Sequence, residues 1–559
     1  MTAPSLVRRV ASAPLAAHAA VLAVVLLVLL PIIGTTGQFS ADEGAAIAQA
    51  RQLSRGQGWT VPDSFPQADP DGTAFPYELS NRGGDRFAPF AKHPIYPAIL
   101  AVADRVLGNT GMLLLSIFGT VGAAVVAALL TRRLDESLAI VALWITGLAS
   151  PLLFDAYTVI AHSLGAVLAG LAVLGLLRAR RDRGLIVLAL VAVALATGTM
   201  LRTEMVFLAI ALAVALVVTS TNRRAEWLLF AAPLAGGAAG WMLDRVLLKI
   251  VVPGPQGTTV WLERPTDGFI SARYSALKIT WLLPAYDVDL RSSILVAAIV
   301  AGAIAFWMAR ARATEVDGIR VFGVAAGAAA LVWLVIGEGP VPGLLPASPL
   351  LVFGAVVWDR RRLDSPGRLF ALTFFLFSAA VLATQYASGG SGEWGGRYFA
   401  IGLPLIIPVA LTLAARSWRT LDRATATIAL AGFVVLSLAL TITAVDTLRV
   451  YHDDVDLVVA GIDGATRVNA ASDGGAPVVL TTNGGAARFA YTVVEHTRWL
   501  TVPPERLDEY ARRLHSLGVG RVTLVTTDPK DLGRVQDVYR EAGELHPLAG
   551  WTVATLQPT

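Results

Sequence analysis

AAVLAVVLLVLLPIIGTTGQFSADEG, Ala19–Gly44, runs without a charge through Ile33 and then sets two acids side by side, Asp42 and Glu43. About 20 apolar residues cross the ~30 Å of hydrocarbon in a bilayer, so the run reads as a membrane-crossing helix. The acids at its exit therefore stand at a membrane surface. One reading makes them helix caps, a duty that Ser40 can serve as well. The other makes one of them a catalytic group.

The rest of the composition supports a membrane setting. The chain has 559 residues, of which 55% are hydrophobic and 15% charged, with a mean hydropathy of +0.62. That is too few charges to cover several water-soluble domains. The sequence pI near 9.4 accompanies a net charge of only +4, and the arginines fall in short clusters between apolar runs. This pattern excludes a basic nucleic-acid-binding face and reads instead as membrane topology. Cysteine is absent, which excludes disulfides, thiolate chemistry and zinc held by Cys.

Candidate spans are Ala19–Ile33, Met112–Leu130, Leu138–Leu153, Tyr157–Leu177, Leu185–Met200, Met205–Val218, Trp227–Leu243, Ile294–Met308, Val321–Ile336, Leu344–Trp358, Leu369–Tyr386, Tyr398–Ala415 and Ala424–Val445. Alternate connections carry the arginines: Arg8/Arg9, Arg132/Arg133, Arg178–Arg183, Arg223/Arg224, Arg310/Arg312, Arg360–Arg362 and Arg416–Arg423. Because cytoplasmic loops are enriched in Arg and Lys, the amino terminus is expected inside and the carboxyl terminus outside. The first run resembles a signal peptide, but no small-x-small cleavage site follows it, so an uncleaved anchor is expected.

After Asp446 the pattern becomes that of a soluble α/β unit. Val478–Asn483, Arg521–Thr527 and Trp551–Leu556 read as strands, and Pro504–Leu517 and Asp531–Glu544 as helices. The turn Asn483-Gly484-Gly485 lacks the context of a phosphate-binding loop and reads as a plain turn. The expected architecture is an all-α polytopic membrane domain of about 13 helices over residues 1–446, followed by a small extracytoplasmic α/β domain over 447–559. Residues 39–107 form the first outer loop.

Within that loop, Ala45 to Leu53 continue a helix expected to lie along the membrane interface. A Pro/Gly/Asp-rich stretch follows, then FAKHPIYPAILA, which enters an apolar helix at Pro94–Val102. Lys92 is one of only four lysines in the chain. At a helix start its ammonium is placed to hold a phosphate as a point charge; the plainer reading is a lysine snorkelling to the headgroups.

The order FSADEG, GxxWxVP at Gly56–Pro62, then FAKHPIYPAILA resembles the first outer loop of the GT-C membrane glycosyltransferases. The similarity is to the branch containing bacterial aminoarabinose (lipid A) transferases and protein O-mannosyltransferases. The motifs are specific over Phe39–Ala101; beyond them only the architecture is similar, and the last hundred or so residues match no motif of the family. The resemblance implies transfer of a sugar from a polyprenyl-phosphate donor to a lipid, glycan or protein acceptor at the outer face of a bacterial plasma membrane, with inversion. It implies Asp42 as general base, Glu43 as its structural neighbour and Lys92 as a contact of the donor phosphate. His93 stands where the family often has Pro, which implies a second phosphate donor or a different loop shape.

Other polar residues sit where such a site would need them. Asp155 and His162 flank an outer turn and are candidates for supporting the site. Arg202 and Glu204 lie at an outer break between two apolar runs, either in the site or simply paired with each other. Arg397 ends a Gly-rich outer loop and is a candidate phosphate contact, or an interfacial anchor with Trp394 and Tyr398. Tyr398, Glu204 and Glu338 are candidate pocket residues. No cofactor is required by this chemistry; Asp42, Glu43 and Asp155 are the carboxylates available to a divalent cation, without a fixed ligand spacing. A transporter or lipid flippase, and a glycan ligase using a diphosphate-linked donor, are the competing classes.

Overall fold

The computed structural model of the protein describes residues 13–77, 82–83, 86–90, 92–182, 184–220, 226–253, 268–282, 341–384, 394–419, 421–473, 475–542 and 546–559. The expected spans Ile294–Met308 and Val321–Ile336, and the candidate Glu338, lie outside these residues.

The opening apolar run folds as α1, Leu15–Ile33. Its Leu22, Leu26, Leu30 and Ile33 recur on one face and are buried, whereas Val24, Val28 and Ile32 are more than half exposed. A helix apolar on every side with only one stripe covered needs lipid against the remainder. Helix α2, Ala41–Ser54, follows, and α3, Ile95–Thr131, passes through a break at Gly108, whose φ is +61°. The membrane domain continues with α4 (Ala139–Leu148), the single turn α5 (Leu152–Asp155), α6 (His162–Asp182), α7 (Leu185–Leu201), α8 (Glu204–Thr219) and α9 (Trp227–Val251). On α9, Gly236 and Gly240 lie against Ala192 and Ala196 of α7; a Cβ on Gly240 would come within 2.4 Å of the Ala196 carbonyl. Small residues thus bring these helices together by backbone contact.

After α10 (Phe269–Leu277) come α11 (Pro349–Val356), α12 (Ser365–Thr384), a 3-10 turn Arg397–Gly402 and α13 (Leu403–Trp418). Among the described residues six helices are long and apolar enough to cross a membrane, and three shorter apolar helices accompany them. Two expected spans are broken or shortened at prolines. Leu138–Leu153 breaks after Leu148, where Pro151 begins a separate turn, and Leu344–Trp358 contracts to Pro349–Val356. Proline at 346 and 349 admits a helix only from its first position onward.

The last span does not stop near Val445. Helix α14 runs from Arg423 to Asp473, 51 residues and about 76 Å, so the expected boundary at residue 446 falls inside one helix. Its second half keeps a buried stripe of Leu448, His452, Val458, Ile462, Thr466 and Asn469, at spacings that hold one helical face. Three two-residue strands of the first loop, β1 (Val61–Pro62), β2 (Arg82–Gly83) and β3 (Arg86–Phe87), form a small antiparallel sheet, whereas α14 leads into a sheet of six strands in the order β5 (Arg498–Thr501), β4 (Val478–Thr481), β6 (Val522–Thr526), β9 (Trp551–Pro558) and β7 (Tyr539–Glu541), with β8 (His546–Leu548) paired to β9. Strands β4 (Val478–Thr481), β5 (Arg498–Thr501) and β6 (Val522–Thr526) are parallel, and β4 and β6 are buried at every position, as parallel strands covered on both faces must be. Strand β9 (Trp551–Pro558) joins β6 antiparallel. Short helices α15 (Ala486–Phe489) and α16 (Tyr491–Val494), then α17 (Leu507–Ser516), cross between the parallel strands. The helix expected over Asp531–Glu544 is only α18, Lys530–Val535; Tyr539–Glu541 is the edge strand β7 on β9. Tyr539 draws the chain into the sheet by burying its ring and donating its hydroxyl to the Val519 carbonyl at 2.9 Å.

The loop between α1 and α3 and this domain share a core. Phe65, Ala68 and Ala74 pack among Leu500, Tyr510 and Leu524. The Thr501 amide donates to the Ala74 carbonyl at 3.1 Å, and the Tyr510 hydroxyl to Asp69 at 3.0 Å. Helix α2 is consequently enclosed along most of its length, not exposed on one face: Glu43 through Ala50 are buried without a break.

Candidate active site

The site is assembled where α2 begins. Glu43 is 1% exposed, and its Oε1 accepts the Phe39 and Ser40 amides at 2.9 and 2.8 Å. Its Oε2 accepts the Val159 amide at 2.6 Å. Three backbone donors satisfy this carboxylate, and they tie the start of α2 to the turn before α6. Glu43 thereby fixes the position of its neighbour Asp42.

Asp42 faces cations from three other parts of the chain. Lys92, just ahead of α3, places Nζ 3.4 Å from Oδ1. Arg397, at the start of the 3-10 turn, donates to Oδ2 at 3.1 Å. Arg488, on α15, donates to Oδ1 at 3.4 Å. Arg202 acts at longer range. Burial would raise the Asp42 pKa, but the charges of Lys92, Arg397, Arg488 and Arg202 outweigh it and hold the carboxyl well below the usual carboxylate range. For Lys92, burial and the neighbouring arginines lower the ammonium's pKa, against the pull of Asp42.

Arg202 occupies the break between α7 and α8 and makes a two-pronged pair with Glu204, at 3.1 and 2.9 Å, with both side chains buried. The mutual pair expected as the plainer reading is therefore present. Arg202 still lines a cleft with Asp42, Lys92, His93, Tyr96, Phe90 and Val159. Its guanidinium and that of Arg397 lie over the ring of Tyr398, at 5.6 and 5.0 Å from the centroid. Tyr398 is buried and meets the His162 ring edge-on at 6.3 Å. His162 is fully buried, and neither ring nitrogen has a hydrogen-bond partner among the described residues.

His93 adopts φ +39°, a left-handed conformation that proline's ring forbids. Its Nε2 meets the Thr203 hydroxyl at 3.1 Å and its Nδ1 lies 3.2 Å from Asp244 on α9. His93 also lines the cleft with Asp42 and Lys92. Asp155 is buried at the end of α5. Among the described residues no three His, Asp or Glu side chains gather as a metal site.

Arg488 was not singled out from the sequence. Its signal was GGAARFA, an arginine embedded in small apolar residues directly after the Asn483-Gly484-Gly485 turn. That turn is closed by Asn483, whose side chain accepts the Gly485 amide at 2.8 Å. Gly485 rests against Ala41, the residue before Asp42.

The helical domain, the loop between α1 and α3 and the sheet domain together have the fold of the solved structures of ArnT. The chain is similar to the structure of ArnT from Cupriavidus metallidurans bound to undecaprenyl phosphate, with TM-score 0.51, 13% identity, and coverage of 96% of this chain and 97% of that one. The apo structure of the same protein gives TM-score 0.52 at 12% identity over the same shares. At these identities the likeness is one of fold. The archaeal oligosaccharyltransferase AglB from Archaeoglobus fulgidus, in complex with an inhibitory peptide and a dolichol-phosphate, matches at 11% identity over 91% of this chain and 69% of that one; its TM-score, 0.46, is too low to carry an argument. No protein-family model matches the sequence, and no curated protein matches it.

Proposed function

We propose that this chain is a multi-pass membrane glycosyltransferase of about thirteen spans that moves a sugar from a polyprenyl-phosphate donor to a hydroxyl of a lipid, glycan or protein acceptor, at the outer face of a bacterial plasma membrane. The observation that carries the reading is the convergence of three cations on one carboxylate at the start of α2. Lys92, Arg397 and Arg488 all contact the single carboxylate of Asp42, while Arg202 is balanced by Glu204. Such a cluster of cations, lining a cleft, suits an anionic headgroup. The fold shared with a protein solved with undecaprenyl phosphate bound supports a monophosphate lipid as that anion.

The reaction is a single displacement with inversion. An acceptor oxygen bonds to the anomeric carbon as the bond from that carbon to the phosphate oxygen breaks, and the electron pair leaves with the phosphate. The acceptor's proton passes to Asp42, which is ionised and regains basicity as the cations that lower its pKa turn to the departing phosphate. The departing phosphate gains a negative charge, and fixed cations stabilise that gain in the transition state more than in the ground state. Both groups belong near the membrane surface, because the donor's polyprenyl tail stays in the bilayer.

The test is turnover of a polyprenyl-phosphate sugar by the purified protein. Release of polyprenyl phosphate is expected, and Asp42→Asn should cut the rate by about 10²–10⁴-fold, the range of a lost general base. Lys92→Ala should raise the donor KM more than the acceptor KM. Full activity of Asp42→Asn would remove Asp42 from the mechanism, and unaltered donor kinetics in Lys92→Ala would remove the phosphate role. Turnover of diphosphate-linked donors alone would favour the ligase reading.

A further inference from the structure

We propose that Arg488, carried by the C-terminal domain, is itself a ligand of the donor's phosphate, and that it forms with Lys92 and Arg397 one anion subsite which Asp42 fills while the donor is absent. This rests on the function proposed above and adds a residue from a part of the chain that the family's motifs do not reach.

The geometry of the cage is the first ground. Charge-assisted N–H···O contacts to carboxylates settle near 2.7–2.9 Å. The three cations stand at 3.4, 3.1 and 3.4 Å from the Asp42 oxygens, so none has closed fully on the carboxylate. A phosphodiester presents two terminal oxygens, as a carboxylate does, on a larger central atom. Three donors that converge from different directions on one pair of oxygens can hold the two terminal oxygens of that anion in the same way.

The second ground is how rigidly Arg488 is held. Helix α15 touches α2 backbone to backbone at Gly44, where a Cβ would stand 1.9 Å from the Arg488 carbonyl oxygen. The Arg488 amide bonds to the Gly485 carbonyl at 3.1 Å, which sets the residue in the first turn after the sheet. Its side chain is only 8% exposed, so a stretched guanidinium is aimed at Asp42 from a fixed base.

The third ground is that docking of the domain does not depend on this arginine. The same interface is closed farther along α2 by Arg55 with Glu495 at 2.7 Å and by Arg51 over the Tyr491 ring at 4.9 Å. Neither reaches Asp42. A pair made only to dock the domain would gain nothing from being placed in the cage.

The consequence is a substrate-linked exchange. When a phosphate enters the subsite, the three cations turn to it and Asp42 is released to face the acceptor hydroxyl. The base is thus confined until the leaving group is in place, which limits reaction in the absence of donor.

Undecaprenyl phosphate, without a sugar, is the probe, and its equilibrium binding to the full chain in lipid nanodiscs is read by native mass spectrometry. Arg488→Ala should weaken binding by about tenfold, the effect of one lost hydrogen bond to a charged group, and Arg488→Lys should recover part of it. Arg55→Ala, which opens the same interface, should bind as the wild type does. Asp42→Asn should bind more tightly than the wild type, since the competing carboxylate is gone, and Arg488→Ala should still weaken binding in that background. If Arg488→Ala binds normally while Lys92→Ala and Arg397→Ala do not, the assignment of Arg488 fails and the proposed function stands. An equal loss in Arg55→Ala, or no effect of Arg488→Ala when Asp42 is Asn, would show that Arg488 acts only through docking or through Asp42. Absence of binding by the wild-type protein would overturn the phosphate reading itself.

Discussion

Adjacent acids at the start of α2 have opposite fates, and the difference lies in what surrounds each side chain. Glu43 is taken up by three backbone amides and works as part of the frame. Asp42, one residue earlier, points to cations and keeps an oxygen toward the cleft. Its pKa is lowered, so the ionised form is favoured in the folded protein. The stability it contributes is fully present above its ordinary value near 3.8 and is lost only as pH falls through the lowered value. The difference in thermal unfolding between the wild type and Asp42→Asn, measured without donor, is therefore expected to be flat from about pH 8 to about pH 5. A difference that changes within that window would mean that burial, and not the cage, sets the Asp42 pKa and raises it above its ordinary value. The pair itself was legible because two carboxylates beside an apolar run are rare. Their division of labour was not, since it depends on the Val159 amide and on three cations between 50 and 446 residues away.

Among the elements, α2 and α15 decide whether the site is complete. Periodicity made α2 visible as a helix, but it gave no warning that α2 would be enclosed, because alanine and glycine suit a membrane surface and a tight interface equally well. The parallel strands β4 and β6 were legible as short apolar runs. Strand β7 was not: Tyr539-Arg540-Glu541 has neither an apolar run nor alternation, and only its pairing with β9 makes it a strand. The same limit hid Arg488, since α15 is a single turn whose importance comes from what it touches. Gly44 tests this contact. Gly44→Ala forces a Cβ against the Arg488 carbonyl oxygen, where backbone and not a mobile side chain must yield. Overpacking of this kind costs about 1–3 kcal/mol, and a displacement of about 1 Å at a catalytic centre can cost about 10²-fold in rate. Turnover should fall while amide exchange over residues 486–489 rises. Gly464→Ala, on α14 with no atom within reach of its Cβ, should leave both unchanged. Wild-type turnover in Gly44→Ala would separate the sheet domain from the chemistry.

At the scale of the molecule, charge separates the two ends of the helices. Helix α3 carries Lys92 ahead of its start and Arg132/Arg133 after its end, and the part from residue 109 to 131 is about 34 Å long, enough to cross the hydrocarbon. Loops that the arginine pattern assigns to one side meet in space at that far end: Arg419 pairs with Asp135 at 3.2 Å, and Arg362 donates to Ser417 at 3.2 Å. Residues assigned to the other side, Asp42, Lys92, Arg202 and Arg397, converge with the sheet domain. The arginine pattern was thus enough to sort the loops by end, whereas the single helix α14 joining membrane to sheet domain was not legible, because hydropathy drops at Asp446 although helical phasing does not. Enrichment of arginine inside then predicts that the site and the sheet domain face outward. The absence of cysteine makes this directly measurable, since one introduced thiol is the only reactive one. On intact cells, Ser516→Cys, exposed in the sheet domain, should react with a membrane-impermeant maleimide. Arg133→Cys, exposed at the opposite end, should react only after the membrane is opened. The reverse pattern would put Asp42 on the inner face, and a donor presented outside would then be out of its reach.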